Sequence, residues 1–158
     1  MKKVNILNPL VALARYNAWK SQWAESCSVD ELSYIGSECH PEDFLLFGKL
    51  LFPDLIVAGG GVFLANRYDV DVFGCWLQKF HGDVQAVERM INHTHIYDTF
   101  DGCSEDIDDR VFTQIADMIA LSWRLSLSDK FPDKRFNVEV SNSELEYGPV
   151  ITFYQMDL

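Results

Sequence analysis

Apolar residues recur every three to four positions along most of this chain and switch to strict alternation only near its end, so helices are expected first and strands late. Asn8 can cap a helix that Pro9 begins, and no further breaker follows for several turns, which predicts a first helix over residues 9–25. Leu10, Leu13, Tyr16, Trp19 and Trp23 form its stripe, read as core, with an exposed Trp19 and Trp23 anchor as the alternative. Pro41 introduces EDFLLFGKLLF, where Glu42 and Asp43 suit a first turn. Phe44, Leu45, Phe47, Leu50 and Leu51 then make the helix apolar nearly all round, so it is expected to be largely buried.

Pro53 ends that helix, and LIVAGGGVFLA reads as two short strands about Gly59, Gly60 and Gly61. The glycine run lacks both a following Lys-Ser or Lys-Thr and a G-x-G-x-x-G pattern, so it is a hairpin turn and not a phosphate loop. Asp69 or Asp71 caps the next helix, in which Phe73, Trp76, Leu77 and Phe80 keep helical spacing until Gly82. Asp83 then caps a short helix with Val84, Val87, Met90 and Ile91 inward. The longest helix is expected over residues 104–127, capped by Ser104 and stopped before Pro132. Beyond it Phe136, Val138 and Val140 alternate with Arg135, Asn137 and Glu139, and after the polar turn SNSELEYG the run PVITFYQ completes a hairpin. The pattern predicts an α+β fold: one helix-dominated domain over residues 1–158, with about five helices and a small antiparallel sheet built from two hairpins.

Composition narrows the class. With 48% hydrophobic residues, eleven Phe, six Tyr and four Trp, the 158-residue chain is no disordered polymer. Thirteen basic against twenty-four acidic residues give a net charge of −11, a field that repels phosphate backbones and anionic headgroups. Neither nucleic acid nor a membrane is therefore expected as a partner, and no apolar run is long enough to span a bilayer. Cys27, Cys39, Cys75 and Cys103 are widely spaced without a C-x-x-C pair, as free, mostly buried thiols of a reducing, cytoplasmic protein would be. The start MKKVNILNPLVALA imitates a secretory leader, but Asn5, Asn8 and Pro9 interrupt it, and an unprocessed cytoplasmic chain is expected.

The stretch MINHTHIYDTFDGCSEDIDD, residues 90–109, carries the densest chemistry. His93 and His95 would share one face of a strand and could ligate a metal with Asp98, Cys103 or a distant carboxylate. The spacing matches no zinc signature, and setting Gly102 at position six of a calcium loop puts Tyr97 where an acid is required. No metal or other cofactor is expected. Glu105, Asp106, Asp108 and Asp109 would fill the first turn and a half of the long helix, where the dipole favours them. That does not explain their density: six acids against Arg110 alone leave a local charge of −5. G-x-S-x-G is absent, and Cys39-His40 are chain neighbours, which does not make a dyad, so no catalytic residue is assigned.

The leading expectation is a non-enzymatic, acidic protein-binding module. Tyr97, Asp98, Phe100, Asp101, Glu105, Asp106, Asp108 and Asp109 would meet a basic protein partner, charge setting the encounter and aromatics the grip. In general character alone, small, acidic and motif-free, the chain is similar to bacterial immunity proteins, which implies a basic partner such as a toxin nuclease. The alternatives are a self-associating structural or scaffold protein, hence a homo-oligomer, and a metal-binding protein or metal-dependent enzyme using His93 and His95.

Overall fold

Four aspartates decide where helices begin. In a computed structural model that describes residues 2–25, 28–103, 106–143 and 147–156, Asp30, Asp69, Asp83 and Asp108 each accept hydrogen bonds from backbone N–H groups of the turn that follows. They start α2 (Glu31–Glu38), α4 (Val70–Lys79), α5 (Val84–Ile91) and α7 (Asp109–Lys130), satisfying donors that a helix leaves without partners. The third helix, α3 (Pro41–Leu51), starts with proline at its first position and His40 accepting from the Glu42 N–H. Two short helices, α1 (Ala14–Lys20) and α6 (Ile96–Thr99), have no side-chain cap.

The strands form two antiparallel sheets. One is the hairpin of β1 (Leu55–Ala58) and β2 (Gly61–Leu64), turned by Gly59 and Gly60 at φ of 56° and 86°, the paired positive values that such two-residue turns require. The other has three strands in the order β3 (Thr94–His95), β5 (Val150–Gln155), β4 (Phe136–Ser141). The inner stripe of α7, through Ala116, Ile119, Ala120, Trp123 and Leu127, packs with Val62, Leu64, Ile96, Val138, Ile151 and Phe153 into the main core. A satellite core joins Phe63, Val87 and Ile91 to Phe73, Trp76, Leu77 and Phe80.

Two side chains, one on α5 and one at its C-cap, join the sheets. Glu88 and Asn92, one helical turn apart, are both fully buried. Asn92 accepts from the Leu64 N–H at 2.9 Å and donates to Val62 O and Phe153 O at 3.0 and 3.1 Å. Glu88 accepts from the Val62 N–H (2.7 Å), the Gln155 N–H (2.7 Å) and the Gln155 side-chain amide (2.6 Å). The outer edge of β2, which would otherwise present unpaired backbone, is closed by this pair and tied to β5. Burial pushes the Glu88 carboxyl up, against the pull of those donors.

The α+β class agrees with the sequence reading, while several of its parts differ. Among the described residues there are seven helices, and the hairpins belong to separate sheets, the second widened by β3. The helix expected over residues 9–25 is confined to Ala14–Lys20. Ala12 takes a positive φ of 60°, and the Gln114 side chain holds Val11 through both its N–H and C=O (2.7 and 3.0 Å), so the chain before residue 13 cannot coil. Trp19 is core, but Trp23 is half exposed. Helix α2 lies in a stretch for which no element was expected. The long helix starts at Asp109 on Asp108 and runs on to Lys130; the expected cap, Ser104, lies outside the described residues. Cys39, Cys75 and Cys103 are exposed and not buried, because each sits on a surface turn or an outward helix face. Helix α3 is largely exposed as well, with Phe44, Leu45 and Leu46 at least 70% accessible, because among the described residues only its later turns, through Leu50 and Leu51, reach the core. No described helix is long and apolar enough to cross a membrane.

Candidate functional site

Asn92 ends α5 and the chain extends through β3, where Thr94 faces inward, hydrogen-bonding Asn92 O, and pairs with Ile151. His93 and His95 flank it with ring centroids 4.7 Å apart, and His95 Nδ1 lies 3.3 Å from Tyr147 O. Among the described residues no group of three potential ligands surrounds them; two imidazoles alone leave half of a zinc coordination shell unfilled.

Helix α6 then sends Tyr97 across to α7. Its hydroxyl donates to Asp109 Oδ1 at 2.6 Å, and its ring meets Phe112 and Tyr147 edge-on at 4.6 and 5.1 Å. The carboxylate beside it pushes the phenol up to about 12. Gly148, at φ 75°, lets the chain pass under this ring: a Cβ there would come within 2.6 Å of Tyr97 Cδ2. Phe100 continues the aromatic row, 6.2 Å from Phe112 and 6.4 Å from Phe47 of α3.

The acids behind this row are not equivalent. Asp109 is engaged by Tyr97. Asp108 caps α7 and receives Arg110 in a two-pronged contact (2.9 and 2.7 Å), which holds its carboxyl down at about 2. Asp98 and Asp101, on α6 and the turn after it, are exposed, as is Asp106. Glu105 lies outside the described residues. Asp109 alone of these acids sits in the first turn of α7, so Asp106 and Asp108 are not the helix-filling charges the sequence suggested.

Asp106 and Asp108 instead line a cleft of about 770 Å³ between residues 10–17, α2 and the start of α7. Leu10, Leu13, Tyr16, Ile35, Ile107 and Val111 supply apolar walls, and Glu31 adds a third carboxylate; Arg15 also lines the cleft, and Asp108 is paired with Arg110. The cleft thus offers apolar walls with a small excess of negative charge among its lining residues, a chemistry that suits a cationic group carried on an apolar stem. Glu31, Arg15, Tyr34 and Ile35 were not singled out from sequence. The Asp30-x-x-Ser33 capping box that builds α2 was the signal that would have located them. Comparison with protein families, curated proteins and solved structures finds no match for the chain.

Proposed function

We propose that this chain is a non-enzymatic, acidic protein-binding module that receives a basic protein partner at the apolar cleft. One observation carries the reading: Asp106, Asp108 and Glu31 line the cleft together with apolar walls. That charge would raise the encounter rate, and side chains seated in the cleft would set the lifetime of the complex. The volume, about 770 Å³, suits insertion of one or two side chains from a partner. A toxin nuclease neutralised by an immunity-type protein is one partner of this kind. Self-association draws on a different surface, the exposed turns of α3.

The test is capture from the source organism with the tagged chain, followed by association kinetics with the captured protein. Replacing Asp106 and Asp108 by Asn keeps a residue able to cap α7 and removes two charges. Association should slow about tenfold at low salt and much less at 0.5 M, roughly the point where screening reaches only a few ångström. A captured protein that is acidic, or rates indifferent to both salt and substitution, would refute it.

A further inference from the structure

Helix α3 is held to the protein through its C-terminal half, with Phe47 near Phe100. Leu50 and Leu51 pack on the core, where the Trp123 indole N–H donates to Leu50 O (3.1 Å) and the Ser122 hydroxyl to Leu51 O (2.5 Å). Upstream, Phe44, Leu45, Leu46 and Phe47 are between 51% and 73% exposed, and Phe52 just after the helix is 59% exposed. At 150–250 Å² per aromatic side chain, these residues expose on the order of 500 Å² of apolar surface, at the upper end of what a solitary protein carries.

We propose that the part of this surface carried by Phe44, Leu45 and Phe52 pairs with α3 of a second copy, the two helices running antiparallel. Pro41, Leu45, Gly48 and Phe52 follow one another at intervals of four, three and four, the spacing of a seam between two helices. Gly48 sits mid-helix with nothing within 4 Å of where its Cβ would be. Within one copy that glycine costs about 1 kcal/mol relative to Ala and gives nothing back, whereas against a facing helix it admits close approach. When two such seams meet antiparallel, Leu45 stands over Gly48 of the other copy and Pro41 beside its Phe52. The flanking positions that then meet are Glu42 and Lys49, seven residues apart on one side of the seam. They carry opposite charge, their side chains are 82% and 66% exposed, and two-fold symmetry makes the pair twice. Lys49 holds Asp54 in the isolated copy at 2.8 Å, an exposed contact weak enough to be exchanged. A parallel pairing would put this flank of the two copies on opposite sides of the seam, where Glu42 and Lys49 do not meet, so the charge pair forms only in the antiparallel arrangement.

Sedimentation velocity on the full chain, from about 2 to about 200 µM, reads this directly. The expected result is a concentration-dependent dimer that Leu45→Glu abolishes. Glu42→Lys and Lys49→Glu should each weaken it by about tenfold or more, and an equimolar mixture of those two variants should recover it, because each supplies the charge that the other needs. All three positions are exposed, so unchanged melting checks that the variants fold. A wild-type chain that stays monomeric over this range overturns the proposal and leaves the stripe to a different protein. A dimer that survives Leu45→Glu also overturns it, and a mixture that stays weak overturns the antiparallel register. The measurement uses this chain alone, so its outcome is independent of whether a basic partner exists.

Discussion

Replacing Asn92 by Leu tests the join between the two sheets. The two side chains have similar size, so the change leaves little cavity, but it removes all three hydrogen bonds of a fully buried amide. Leu64 N–H, Val62 O and Phe153 O lose their partner in a place that water does not reach. Each orphaned group costs about 1–3 kcal/mol, partly offset because the amide itself no longer has to be desolvated. A net loss of about 3–5 kcal/mol is expected, a large share of the 5–15 kcal/mol that typically holds a domain together. At about 2–4 °C per kcal/mol for a chain of this length, Tm should fall by roughly 6–20 °C. Urea unfolding followed by the fluorescence of the tryptophans, Trp123 being 3% exposed, should show a lower midpoint at unchanged slope. The same chemical change at exposed Asn142 should cost no more than about 0.5 kcal/mol. A loss below about 1 kcal/mol for Asn92→Leu would refute the reasoning, since it would mean that the sheets hold together without this side chain.

Tyr97 should titrate near 12 in a spectrophotometric pH titration, and Asp109→Asn should bring its midpoint back toward 10. Because the folded pKa lies above the unfolded one, the stability tied to this phenol is complete below pH 10 and is lost as pH rises through 12. Gly148→Ala should destabilise the fold by about 1–3 kcal/mol, through its positive φ and the contact with the Tyr97 ring. The displaced ring should let go of Asp109, so the same variant should also lower the tyrosine midpoint.

What the sequence made legible were features with local causes. Asp69 and Asp83 start helices through hydrogen bonds to residues two or three positions on, and the alternation of Phe136, Val138 and Val140 needs only a neighbouring strand. The misreadings have non-local causes. Asn8-Pro9 is a sound start signal, yet Gln114, more than a hundred residues away, holds Val11 outside any helix. The apolar run of α3 implied burial only if a cover lay within the same copy. Tyr97 and Asp109 were both singled out, but their bond depends on the turn of chain between α6 and α7, and spacing alone does not give that. Glu88 and Asn92 were not singled out from sequence, although their place beside Val87 and Ile91, on the inner side of α5 and at its end, pointed inward.

Strands joined through their backbones tolerate almost any side chain at the join. Here β2 and β5 are bridged by a carboxylate from α5 and an amide at its C-cap, so two residue identities stand in for a ladder of main-chain bonds. Chains that share this architecture need not resemble one another in hydropathy or length. They would be recognised instead by a Gly-Gly hairpin followed some 25 to 30 residues later by Glu-x-x-x-Asn, the interval at which Glu88 and Asn92 reach Val62 and Leu64 here.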